Sequence, residues 1–357
     1  MRILALLLLL AAPAWADFDA TKAAFDANMK SFGTQHCAYL KEHVYDDSHL
    51  NASYYDAASI YYQIADYTKD ASWNSCAQAS EWVYRDNYLK ASGAPAGYWN
   101  FAKGLAEDYK RTNDAVSLTA IDQLKNDAVF CRVSAWELGH IAENQYSREV
   151  SYCIVTYIEA LKLGKPAPNL PLFITTAKGH VNQWLSHSDP LQPFMAALTA
   201  KALAQYYDEV QADSTIPPLV ANLATETWTK WDATKKWFNY INWNGTDNLT
   251  DLNLLIAPMY AWAYKKLGNS WYGARFDEIF ASGVASAYLN SPKVFNQNYF
   301  WSMKGLAWRY PTVVPTPTPT PTPTPQPTAT PVPTPKPCSM AQTHAGFNCR
   351  LKKLEAK

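Results

Sequence analysis

Apolar residues recur along this chain at helical spacing almost without interruption, and the long apolar segments themselves recur. Met195, Leu198, Thr199, Ala202, Leu203 and Tyr206 follow the i, i+3, i+4, i+7 rule, and Leu252, Leu255, Ile256, Met259, Tyr260 and Ala263 repeat it. Alternating β-branched runs are scarce and Ala is common, so strands are not the building element. Segments of similar character begin near Ala52, Tyr98, Arg148, Phe194 and Asn253, spaced by roughly fifty residues with a second helix between each pair. Two helices per unit is the pattern of helical hairpin arrays, and six hairpins closed on themselves leave no end that needs a capping repeat.

Punctuation residues place the boundaries. Gly93, Gly164 and Gly268 sit just past periodic runs, while Pro171, Pro193 and Pro218 sit near helix starts. The spacing predicts about twelve helices, near 18–32, 50–68, 72–91, 98–111, 114–130, 146–163, 170–186, 192–210, 217–232, 251–267, 271–289 and 293–309. The fold class expected is therefore all-α.

Three segments carry a family resemblance: "SREVSYCIVTYIEALKLGKP", "LQPFMAALTAKALAQYYDEVQADSTIPPLV" and "LNLLIAPMYAWAYKKLGNSWY". Each has a small and aromatic helix, a short turn and a return helix, and together they resemble the inner helices of an (α/α)6 toroid, the six-hairpin glycosidase-like type. The resemblance covers most of Phe18 to Tyr310 and concerns architecture; an open α/α solenoid is the competing fold. It implies a funnel at one end of the ring, lined by inner-helix ends and loops, and enzymes that cleave polysaccharide glycosidic bonds.

The ends of the chain have other compositions. "MRILALLLLLAAPAWA" has one charge, Arg2, then an apolar run and small residues, so residues 1–16 are expected to be a secretory signal peptide, too short for a membrane anchor. Residues 17–310 form the expected helical domain. From Pro311 to Pro337 Pro and Thr alternate; proline removes amide donors and fixes its backbone, so 311–337 is expected to be an extended spacer reaching roughly 80 Å at ~3.1 Å per residue. Residues 338–357 make a short tail holding Cys338 and Cys349, which are expected to pair.

Composition narrows the partners. Without the leader, 30 basic residues face 31 acidic ones, a net charge near −1, which favours neither nucleic acid nor an anionic membrane surface. The even count of six cysteines suits an oxidising compartment, and Cys37, Cys76, Cys131 and Cys153 allow three pairings that the sequence leaves open. Asn51, Asn244 and Asn248 begin glycosylation acceptor patterns. No Gly-rich phosphate loop or GxSxG elbow is present, and His43, Asp46, Asp47 and His49 match neither HExxH nor a calcium loop. No cofactor and no metal are expected, and the expected partner is a polysaccharide or oligosaccharide.

Glycoside hydrolysis needs two carboxyl groups, one protonated and one ionised. Asp46 and Asp47 form an adjacent pair in a polar loop, similar to the catalytic pair of one group of (α/α)6 mannanases, although Asp47 or Ser48 also suits a helix cap. Asp232 is the third catalytic candidate, because Trp228, Trp231 and Trp237 bracket it and aromatic surface desolvates a carboxylate. Arg148 and Glu149 open an apolar helix, where Arg can grip a carboxylate or sugar hydroxyls and Glu suits the helix N-terminus. Trp228, Trp231, Trp237, Tyr240 and Trp243 are candidate sugar-stacking residues, the last three expected in a long connection over 233–250. Asn298 and Tyr299 offer an amide and a phenol for sugar hydroxyls.

The function expected is a secreted glycoside hydrolase acting through paired carboxylates. A polysaccharide lyase on the same scaffold would place Arg, Tyr, Asn or His in the cleft instead. A non-catalytic glycan- or surface-binding protein would show aromatic platforms without an acid pair.

Overall fold

The computed structural model describes residues 14–187, 190–238 and 252–311, with side chains from Phe18 onward. The spacer, the tail with Cys338 and Cys349, most of the leader, Tyr240, Trp243, Asn244 and Asn248 lie outside the described residues. Among the described residues the fold is all-α apart from one short hairpin.

Two kinds of helix alternate, and burial separates them. Helices α3 (Ala57–Thr68), α8 (Ser147–Lys162), α10 (Pro193–Glu209) and α12 (Asn253–Leu267) are buried nearly all round; α10 buries Ala196 through Tyr206 without a break. Helices α6 (Ala115–Asp127), α9 (Leu170–Leu185), α11 (Ile216–Trp228) and α13 (Ser270–Ser286) bury one stripe, as in Leu170, Phe173, Ile174, Ala177, Val181 and Trp184 of α9. A helix apolar on every side needs neighbours on every side, whereas a one-faced helix can meet solvent.

Contacts follow from that division. Buried α3 packs on α5 (Lys103–Thr112), α5 on α8, α8 on α10, α10 on α12, and α12 on α14 (Pro292–Tyr299) and α15 (Ser302–Arg309); α14 touches α3 again. The one-faced helices cover them, α4 (Asn74–Glu81) on α3, α6 on α5, α9 on α8, α11 on α10 and α13 on α12, while α1 (Ala14–Leu40) packs on α13, α4 and α14.

The connections are asymmetric in length. Turns leaving the buried helices are short, 113–114, 163–169, 210–215 and 268–269, with Asn113 and Gly268 in the left-handed region at helix C-termini. Short turns make each pair antiparallel. Of the connections entering the buried helices, 90–102 and 128–146 with the short α7 (Ala135–His140) are longer, so these long loops gather at the end where the helices begin, while 186–192 before α10 is as short as 163–169.

At the opposite end a belt of charge joins helix to helix. Asp66 on α3 pairs with Arg111 at 2.7 Å, Glu107 with Lys110 at 3.0 Å, Lys110 with Glu159 at 3.7 Å, Lys162 with Glu209 at 2.7 Å, and Glu209 with Lys304 at 3.3 Å. These pairs reach across α3, α5, α8, α10 and α15.

Two disulfides close the cysteine question for the described residues: Cys37 with Cys76 ties α1 to α4, and Cys131 with Cys153 ties the 128–134 segment to α8. They fit an oxidising compartment. Among the described residues no helix is long and apolar enough to cross a membrane.

Two predicted helices are each interrupted. The 50–68 segment contains α2 (Asp47–Ala52) and α3, parted by Tyr55 and Asp56 at φ 62° and 61°. The 293–309 segment breaks between α14 and α15 at Phe300 and Trp301. The predicted return helix 217–232 stops at Trp228; Trp231–Asp232 and Trp237–Phe238 then pair as two-residue strands, β1 and β2.

Candidate functional site

At the long-loop end, the first turn of α8 carries a buried carboxylate. Glu149 is 4% exposed; its Oε1 accepts from Arg148 Nη2 at 2.5 Å and Nε at 3.1 Å, while its Oε2 is buried without a partner. A carboxylate there is favoured by the helix N-terminus, yet an orphaned oxygen costs desolvation. The Arg148 guanidinium lies 5.5 Å from the Tyr98 ring centre. Burial works against its charge, but the Glu149 carboxylate beside it holds it above the ordinary arginine range.

One turn on, Tyr152 is buried with an unpartnered hydroxyl. Burial, reinforced by Tyr54 and Tyr55, pushes its phenol well above the usual range, so it stays protonated and offers a donor. Tyr54 packs edge-on to Trp99 at 4.7 Å and Phe101 at 5.2 Å, and Phe101 packs on Tyr152 at 5.3 Å. Lys293 lies over Tyr54 at 4.7 Å. Asn296 braces this corner by donating to the carbonyls of Ala52 at 2.8 Å and Tyr54 at 2.9 Å.

The conformation of Tyr55 marks the site. A Tyr at φ 62° is uncommon and strained, and it is held because Asp56, capping α3, accepts from Ser59 N at 3.2 Å and Gly104 N at 3.1 Å. A Cβ on Gly104 would lie 2.5 Å from Asp56 Oδ1, so only glycine lets that amide reach the carboxylate. Gly97 has the same role behind Glu149, where a Cβ would meet Val129 O at 2.8 Å and Glu149 Cγ at 3.0 Å.

The wall behind Glu149 is braced. Buried Glu137 accepts from Phe130 N at 2.8 Å, Ser134 N at 2.7 Å and Arg132 Nε at 2.9 Å. Burial raises its carboxyl, but these donors outweigh that and hold it below the ordinary range. Asn100 donates to Cys131 Sγ at 2.7 Å and accepts from Thr156 at 2.6 Å, fastening the disulfide to α8.

Exposed aromatics surround this end. Among the described residues the exposed aromatic side chains are Tyr45, Tyr98, Trp136 and Tyr288, and each lies on a different connection entering a buried helix. Two grooves open there, one of about 530 Å³ lined by Asn144, Gln145, Gln183, Trp184 and Gln192, the other of about 610 Å³ lined by Tyr39, Asn51, Asn290 and Lys293.

The sequence-predicted residues divide between this site and other places. Arg148 and Glu149 lie in it. Asp46 is exposed and caps α2, accepting from His49 N at 2.8 Å and His49 Nδ1 at 2.9 Å, and the His49 amide keeps its carboxyl low. Asp47 is an exposed first-turn residue of α2. Asp232 accepts from Thr234 N and Lys235 N, both at 2.9 Å, and so shapes the hairpin turn.

Trp228 stacks on Trp231 at 5.2 Å, meets Tyr260 edge-on at 6.3 Å, and lies under Arg275 at 4.3 Å; Trp231 meets Phe238 at 5.0 Å. These rings seal the α11–α12–α13 seam. Trp237 is half-buried beneath Lys235. Asn298 donates to Val294 O at 2.8 Å and Tyr299 to Phe25 O at 2.9 Å, both fully buried and turned toward their own helix and α1. Tyr54, Tyr55, Tyr98 and Tyr152 join the site as well; "SYYDAAS", aromatic and polar just before a helix, is the signal for Tyr54 and Tyr55, and no comparable local signal marks Tyr98 or Tyr152. Among the described residues no cluster of His, Cys, Asp or Glu is arranged to hold a metal ion.

No protein-family model, curated protein or solved structure matches the chain.

Proposed function

We propose that the chain is a secreted glycoside hydrolase built as a closed (α/α)6 ring, taking a polysaccharide or oligosaccharide across the mouth where the inner helices begin. The ring reading rests on the return of α14 to α3 and on the charge belt around the far end. The observation that carries the function is Glu149, a buried carboxylate with one oxygen unsatisfied, among Tyr54, Tyr98 and Tyr152. Glu81 and Glu159 also leave an oxygen without a hydrogen bond, but of the three Glu149 is the one that opens its helix, beside the exposed Tyr98. An incoming hydroxyl or anomeric carbon would meet that free oxygen.

In this reading Arg148 orients Glu149 as base or nucleophile, Tyr152 donates to a sugar hydroxyl, and Tyr45, Tyr98, Trp136 and Tyr288 stack on sugar faces. The second carboxyl comes from the connections entering the same end, which carry Asp46, Asp47 and Asp232. The lyase reading has a specific support of its own, the Arg148 and Tyr152 pair: with Glu149 as the base that takes the proton, Arg148 would face the uronate carboxylate and the protonated Tyr152 would donate to the leaving oxygen.

Incubation of the purified protein with a polysaccharide panel, reading reducing ends and ultraviolet absorbance together, tests the proposal. New reducing ends without absorbance, lost in Glu149→Gln, support hydrolysis. Absorbance from a new double bond supports the lyase instead, and silence with retained glycan binding makes the protein a non-catalytic binder.

A further inference from the structure

Behind the site lies a small cavity onto which two lysines without a direct ion pair open. It measures about 20 Å³ and is lined by Lys103 of α5, Lys201 and Gln205 of α10, and Trp301 and Lys304 of α15, with Asp208, Glu209 and Trp308 at its edge. Lys201 is 7% exposed, and its ammonium has no carboxylate, carbonyl or hydroxyl partner among the described residues; it rests 4.4 Å from the centre of the Phe300 ring. Lys103 likewise has no ion pair or hydrogen bond there. Lys103 is only half-buried, yet two lysines on one cavity without a paired carboxylate need an explanation.

The nearby carboxylates are already committed. Glu209 serves Lys162 at 2.7 Å and Lys304 at 3.3 Å, and Asp208 serves Lys266 at 2.5 Å and Trp262 Nε1 at 3.0 Å. In the belt, Arg111, Lys110, Lys162 and Lys304 face Asp66, Glu107, Glu159 and Glu209, which is neutral. Above it Lys103 and Lys201 make no direct ion pair: Asp56 and Glu209 act on Lys201, and Glu159, Glu209 and Glu107 on Lys103, from beyond contact distance.

We propose that this cavity binds one small monovalent anion, a chloride or another halide, between the ammonium groups of Lys103 and Lys201. A water-sized guest needs about 10–15 Å³, so the space of about 20 Å³ suits a guest of about that size. Burial, and then the mutual repulsion of Lys103 and Lys201, lower the Lys201 ammonium to about 7, and a bound anion would relieve that cost. The site is separate from Glu149 and does not depend on the hydrolase reading.

The test uses the full chain. Crystals grown in sodium bromide are expected to show an anomalous peak in the cavity beside Lys201. The melting temperature is expected to be higher in sodium chloride than in sodium gluconate at equal ionic strength, with the increment lost in Lys201→Met and in Lys103→Met. If either variant does not fold, the bromide peak in the unaltered protein still decides. No peak in the cavity, or equal melting temperatures in the two salts, overturns the proposal.

Discussion

Glu81 gives a sharp prediction about how the hairpins are held together. It ends α4, is 2% exposed, accepts from the Tyr62 hydroxyl at 3.4 Å, and has its other oxygen unpartnered. Tyr62 also reaches Asp108, which is bound to Arg85 at 2.9 Å and to Ser117 at 2.5 Å. Burial first, and the charge of Asp108 second, push the Glu81 carboxyl up to about 9. It is therefore protonated in the folded chain at neutral pH and ionised in the unfolded one.

The native state then holds one more proton between the unfolded pKa, near ~4.3, and the folded one. Stability from this group is fully present below the unfolded pKa and is lost as pH rises toward about 9. The slope is about 1.4 kcal/mol per pH unit, so moving from pH ~6 to ~8 costs the wild type about 2.7 kcal/mol through Glu81 alone. Glu81→Gln keeps the shape of the protonated acid and removes the titration. Urea unfolding of both proteins across that range should show the stability difference, wild type minus variant, falling by about that amount. Parallel pH profiles would refute the assignment.

Other consequences are direct. Gly104→Ala should destabilise by about 1–3 kcal/mol in urea unfolding, because its Cβ must displace Asp56 or Ala58. Glu149→Gln should leave the helical circular dichroism intact and lower turnover of any substrate found by roughly 10²–10⁴-fold. Tyr98→Ala and Trp136→Ala should weaken glycan binding in calorimetric titration with little change in urea stability, since both rings are exposed.

Much of the fold was legible because helical period and turn residues are local signals. The expected segments 146–163, 170–186 and 192–210 correspond to Ser147–Lys162, Leu170–Leu185 and Pro193–Glu209. The breaks at Tyr55–Asp56 and Phe300–Trp301 were not, because apolar spacing continues across them and what bends the chain is distant: Gly104 holds Asp56, and the Trp301 indole donates to Leu255 O at 2.6 Å.

The site divides on the same line. Arg148 and Glu149 stood out as a charged pair opening an apolar helix. The orphaned oxygen, the strained Tyr55 and the support of Gly97 depend on segments brought together only by folding. Of the two tryptophans conspicuous in the sequence, Trp228 packs against Tyr260, Trp271 and Arg275, and Trp231 against Trp228 and Phe238, because the return helix ends where the α12–α13 seam needs filling.

The central claim is the proposal that a saccharide lies at the end where the buried helices begin, against Glu149. A crystal structure of Glu149→Gln soaked with an oligosaccharide taken from the panel tests it most directly. The account predicts sugar rings stacked on Tyr98 or Trp136, with a hydroxyl or the anomeric carbon facing residue 149. Sugar bound only at the charged belt, or only along the outer face of α9, α11 or α13, would contradict it.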